Sequence, residues 1–101
     1  EFYARHFGLA DFVWHGHVLF MRDGRGMDFA LDPSPAGQAP PDWFHFGFRL
    51  DSAAAVEALF ARLEGAGAAI REPLTREDDL VYFRCADPDG YGIEVYWEPQ
   101  P

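Results

Sequence analysis

Two side chains of types that do chemistry stand out because each falls in a short apolar run. His45 lies in Trp43-Phe44-His45-Phe46-Gly47-Phe48-Arg49-Leu50, and Glu94 in Gly92-Ile93-Glu94-Val95-Tyr96-Trp97. With a strand's period of two, Phe44, Phe46, Phe48 and Leu50 take one face while His45, Gly47 and Arg49 take the other. Ile93, Val95 and Trp97 likewise oppose Glu94, Tyr96 and Glu98, so His45 and Glu94 are expected on polar faces of strands. By residue type alone, a surface histidine and a solvated glutamate are the commoner reading of such a pair. His15 and His17 alternate at a spacing that can chelate, although solvent-facing histidines give the same pattern. Arg49 and Arg84 carry the guanidinium fork that grips carboxylate, phosphonate or phosphate through two parallel hydrogen bonds; the bland reading is surface pairing with the acidic excess. Cys85 alternates with Val81 and Phe83 and reads as a small core residue rather than a nucleophile.

The elements that must position these groups belong to a chain of 101 residues with a net charge of −9, 49% apolar residues and a single cysteine. That length fits one globular domain. With 8 basic residues scattered among 17 acidic ones, there is no footprint for a phosphate backbone, and nucleic acid is excluded as the expected partner. No apolar run approaches the length of a membrane helix and no signal segment opens the chain, so the expectation is a soluble protein without a membrane partner. The lone Cys85 fits a reducing compartment, and the cytoplasm is the default. Residues 1–8 read as the tail of a helix ended by Gly8, which, with no initiator Met, implies residues upstream. From Asp11 to Leu31 come two or three antiparallel strands broken by Gly16 and by Asp23-Gly24-Arg25-Gly26. The proline-rich stretch 33–41 reads as an irregular linker. Trp43 to Leu50 then reads as a strand. Ser52 caps a helix whose Val56, Leu59, Phe60 and Leu63 repeat at i, i+3, i+4, i+7. Ile70 to Leu74, Leu80 to Ala86 and Gly92 to Trp97 give three more strands, the last two joined by Asp87-Pro88-Asp89-Gly90. The aromatic stripe Trp14, Phe20, Phe29, Phe44, Phe46, Phe48 and Trp97 is expected to be mostly core, with a minority lining a pocket.

The run Tyr82-Phe83-Arg84-Cys85-Ala86-Asp87-Pro88-Asp89-Gly90-Tyr91-Gly92-Ile93-Glu94, preceded by His45-Phe46-Gly47-Phe48 and the capped helix, resembles the vicinal oxygen chelate superfamily of glyoxalases, bleomycin-resistance proteins and extradiol dioxygenases. The resemblance covers Trp43 to Pro99 well and reaches loosely back to Phe2-Tyr3. It implies an α+β fold in which two βαβββ modules form a curled mixed sheet around a small-molecule cavity. Residues 1–101 would be one such domain: 1–32 a partial first module whose first strand is absent, 33–41 the linker and 42–101 the second module. It also implies that His45 and Glu94 are metal ligands, from the first and last strands of the second module, for a divalent ion that residue chemistry leaves open among Zn, Mn, Fe, Ni and Co. Glu94 would double as catalytic base, and Arg49, Arg84 and Tyr96 would bind substrate.

Departures from the family pattern narrow the reaction. The ligand position closing the first module falls in Met27 to Asp32, where Asp28 could serve but reads better as an edge-strand residue in solvent. Arg84 stands where ring-cleaving dioxygenases carry a tyrosine, and Thr75-Arg76-Glu77-Asp78 holds no histidine, which disfavours ring cleavage. The expectation is a metal-dependent lyase, isomerase or thiol transferase acting on a small oxygen-bearing substrate. The rival is a metal-free binding protein that sequesters a cationic antibiotic, favoured by the acidic net charge. A homodimer is expected in either case, because so aromatic a small chain leaves apolar surface to cover.

Overall fold

The computed structural model describes residues 1–24, 27–32, 40–41 and 43–99. The linker expected at 33–41 lies outside the described residues except for Pro40 and Pro41, as do Arg25 and Gly26 of the expected turn Asp23-Gly24-Arg25-Gly26. The chain divides into two compact units, Glu1–Gln38 and Ala39–Pro101.

The first unit holds helix α1 (Phe2–Phe7) and strands β1 (Ala10–His15), β2 (Val18–Arg22) and β3 (Asp28–Leu31) in an antiparallel sheet of order β1-β2-β3. Gly8 ends the helix in the left-handed conformation, φ 67°, which a residue without Cβ adopts at little cost. The turn after β2 is closed by Asp23, whose carboxylate accepts from the Met27 amide at 2.8 Å. Met21 is opposite Phe29 across β2 and β3, and the Tyr3 ring packs on Phe29 at 4.7 Å. Tyr3, Leu9 and Met21 are buried. The expectation that the aromatic stripe is mostly core fails at Trp14 and Phe20, which are 65% and 40% exposed, and at Phe44, 40% exposed in the second unit. For Trp14 the reason is local: α1 spans only about 9 Å of axis and meets the sheet at β3, whereas β1 is the opposite edge and all six of its residues are exposed.

The second unit is strand β4 (His45–Arg49), helix α2 (Ala53–Gly65) and strands β5 (Ala69–Glu77), β6 (Leu80–Ala86) and β7 (Gly92–Trp97), a βαβββ order in a sheet arranged β4-β7-β6-β5. β4 runs parallel to β7, and the other pairs are antiparallel. Ser52 caps α2, its hydroxyl accepting from the Ala55 amide at 3.1 Å. Val56, Leu59 and Leu63 are buried, and Phe60 meets Phe83 of β6 edge-on at 5.2 Å between ring centres. The apolar residues of the strands, Phe48, Val81, Phe83, Cys85, Ile93 and Val95, complete this core. The Asp87 carboxylate turns β6 into β7 by accepting from the amides of Asp89 and Tyr91 at 3.0 and 2.8 Å, with Gly90 at φ 91°. β5 runs three residues beyond the expected Leu74. Its two register shifts, between Ile70 and Glu72 and between Glu72 and Thr75, accommodate Pro73, which an edge strand tolerates.

Cys85 is fully buried in that core, and burial, with a smaller contribution from the Asp87 carboxylate, pushes its thiol up to about 11. On the order of one molecule in a thousand carries the thiolate at pH 8, so alkylation by iodoacetamide should be negligible in the folded protein and rapid in denaturant. Mass spectrometry before and after unfolding checks this, and fast labelling of the native protein would contradict a core position.

Candidate active site

Because parallel neighbours in register share a face, the pairing of His45 with Gly92 and of Gly47 with Glu94 puts His45 and Glu94 on the same side of the β4-β7 pair, one step apart along the strands. This is the face away from α2. Gly47, directly opposite Glu94, leaves room there: a Cβ on it would come within 3.2 Å of the Tyr96 ring. Gly92 is equally confined, since a Cβ there would sit 3.0 Å from the Phe44 carbonyl and 3.2 Å from the His45 Cβ.

Across the sheet the polar face is built in rows. One row runs Glu72, Arg84, Glu94, Gly47 from β5 to β4, and the next runs Thr75, Tyr82, Tyr96, Arg49. Arg84 donates from Nε and from a terminal nitrogen to the same oxygen, Oε1, of Glu94, both at 3.3 Å, and its other terminal nitrogen lies 3.8 Å from Glu72. Tyr82 in turn donates to the Oε2 of Glu72 at 2.6 Å. That hydrogen bond to a carboxylate is the first cause holding the Tyr82 hydroxyl above its ordinary value, so it remains a donor. Arg49 donates to the Glu98 carbonyl, and Tyr96 stands beside it in register.

The structure thus brings His45, Glu94, Arg49, Arg84 and Tyr96 to one face of one sheet. His45 is exposed and Glu94 half-buried. His15 and His17 belong to the first unit, where His15 stacks edge-on against Phe20 and His17 lies 3.9 Å from Asp32. Asp28, the first module's weak candidate, is paired with Arg22 at 2.9 Å. Glu72, Tyr82 and Arg71 were not expected at the site. Arg71 donates to the Gly90 carbonyl at 2.9 Å, and a terminal nitrogen reaches to 3.4 Å from where a Gly92 Cβ would be, next to His45. Simple alternation from Ile70, which pairs with the buried Cys85, would turn Glu72 inward; the bulge at Arg71 reverses that parity. Tyr82 was legible, being two residues from Arg84 on its face.

His45 and Glu94 are a donor pair of the right types for a divalent ion, an imidazole nitrogen and a carboxylate with one oxygen outside the Arg84 contacts. Among the described residues no three His, Cys, Asp or Glu side chains converge, so this pair fits as part of a ligand set rather than the whole.

The sequence matches the family model described as Glyoxalase/Bleomycin resistance protein/Dioxygenase superfamily over residues 1–95, and the chain belongs to that superfamily. Among solved structures it is similar to a possible glyoxalase from Bacillus cereus, at 29% identity and TM-score 0.77, covering 93% of this chain and 81% of that one. It is also similar to a glyoxalase/bleomycin resistance protein from Albidiferax ferrireducens T118, at 25% identity and TM-score 0.75, with 97% and 85% of the two chains covered. A lactoylglutathione lyase from Agrobacterium tumefaciens, at 24% identity, TM-score 0.70 and coverages of 95% and 80%, shares the fold. No curated protein matches the sequence. No helix among the described residues is long and apolar enough to cross a membrane.

Proposed function

We propose that this chain is a small glyoxalase-like, divalent-metal-dependent enzyme of the lyase, isomerase or thiol transferase type, acting in the cytoplasm on a small oxygen-bearing substrate. The observation that carries the reading is the β4-β7 register, which supports His45 and Glu94 as neighbouring ligands on one face. A divalent ion bound there supplies Lewis acidity toward a substrate oxygen. Glu94 contributes a carboxylate oxygen able to take a proton from the substrate. Arg49, Arg84 and Tyr96 offer donors for an anionic substrate group.

The rival reading, sequestration of a cationic antibiotic without metal, draws on the net charge of −9. The face itself does not share the chain's acidic excess, because Arg49, Arg71 and Arg84 gather there beside Glu72, Glu94 and Glu98. Locally placed charge outweighs remote charge at physiological salt, which screens beyond about 8 Å. Elemental analysis of the purified protein, followed by calorimetric titration with Zn, Mn, Fe, Ni and Co salts, tests the metal reading. Retention or binding of one divalent ion per chain supports it, and a protein that binds none of them while binding a cationic glycopeptide overturns it.

The same proposal includes a homodimer, supported by the exposed Phe12, Val13 and Trp14 on the edge strand β1. Light scattering should return twice the chain mass of 11.4 kDa, with a melting temperature that falls on dilution. A monomer at micromolar concentration would remove the dimer from the proposal.

A further inference from the structure

We infer that Arg84 is a transferable counter-ion for Glu94: it holds the carboxylate while the site lacks a cation and passes to Glu72 when one binds. The inference rests on the metal reading of His45 and Glu94. Arg84 stands between two carboxylates that are its register neighbours on either side, Glu72 on β5 and Glu94 on β7. It hydrogen-bonds Glu94 at 3.3 Å and remains within ion-pair distance of Glu72 at 3.8 Å, so changing partner needs a side-chain swing rather than a backbone movement. Glu72 is prepared to receive it. Tyr82 occupies Oε2 of Glu72, and the oxygen nearest Arg84 is the other one, Oε1. On the Glu94 side both donors converge on Oε1, which fixes the carboxylate with Oε2 outside the pair.

The exchange follows from charge. A cation beside Glu94 repels the guanidinium, and a lone arginine left there would oppose binding. With Glu72 as second partner, Arg84 keeps an ion pair in both states, and the carboxylates are never left facing each other unpaired. Arg84 and Glu72 are 40% and 38% exposed in their side chains, so each contact is individually weak and the swap is cheap. Arg84 and Glu72 are therefore positioning residues, acting on the cation through Glu94.

Opposite signs make the test specific. Cobalt(II) chloride is titrated calorimetrically into wild type, Arg84→Gln, Glu72→Gln, Tyr82→Phe and Glu94→Gln, each first shown by circular dichroism and melting to be folded. Arg84→Gln should tighten the cobalt dissociation constant by about threefold to tenfold, the effect of removing one partly exposed unit charge. Glu72→Gln should weaken it by a similar factor, and Tyr82→Phe by less. In the Glu72→Gln/Arg84→Gln double variant the Glu72 effect should shrink, because the residue it acts through is gone. If Glu72→Gln leaves the constant within twofold of wild type, or moves it in the same direction as Arg84→Gln, while Glu94→Gln abolishes binding, the counter-ion role is overturned and the metal reading stands. If Glu94→Gln binds cobalt as wild type does, the metal reading itself falls and the counter-ion role with it.

Discussion

Glu94→Gln should lower turnover by about 10²–10⁴ and weaken metal retention, while leaving the fold intact. The expectation is built from three features of the residue. Glu94 is opposite Gly47, so no side chain from β4 can replace the lost carboxylate at that point of the sheet. An amide still presents one neutral oxygen to a cation but cannot accept a proton, which weakens the ligand role and removes the base role. Its neighbours in β7, Ile93 and Val95, are fully buried and keep the strand in place whatever stands at position 94. Activity with the substrate identified by screening, together with metal content after gel filtration, checks the prediction. A Glu94→Gln protein that keeps both would reduce Glu94 to the partner of Arg84 and nothing more.

The second unit was largely legible from its residues because local and global signals agree there. Ser52 caps the helix it was expected to cap; β6 and β7 occupy the expected residues; the period-two faces of β4 and β7 are the faces observed. Such agreement is what a small cooperative unit requires. What stayed hidden depended on pairing. His45 and Glu94 could be placed on polar faces one strand at a time, but their adjacency follows from the parallel joining of the first and last strands of the unit, separated by about fifty residues. Glu72 was concealed by a bulge, a one-residue insertion that reverses face parity and leaves no periodic trace. Arg84 could be read as a donor, but not as one already held by two carboxylates from different strands. In the first unit, hydrophobicity alone suggested a buried Trp14; exposure there is set by the shortness of α1 and the edge position of β1, which the composition of the strand does not encode.

Phe83→Ala should cost about 3–5 kcal/mol of stability. Phe83 is the largest of the fully buried side chains among the described residues, and it sits in β6, which pairs with β5 on one side and β7 on the other. Its ring meets Phe60 of α2 edge-on at 5.2 Å, so truncation removes an aromatic contact as well as apolar area and leaves a cavity between helix and sheet. On the polar side of the same strand, Tyr82 and Arg84 flank it in sequence and carry the row that reaches Glu94, so the site's geometry depends on a residue that touches none of it. For a domain of this size the loss corresponds to a fall in melting temperature of roughly 15–30 °C. Phe83→Leu, which keeps most of the volume and all of the apolar character, should cost about 1–1.5 kcal/mol and preserve cobalt binding. Thermal and urea unfolding of the two variants checks the order. An alanine variant that melts within a few degrees of wild type would mean that the second unit is held together elsewhere than at the α2-β6 contact.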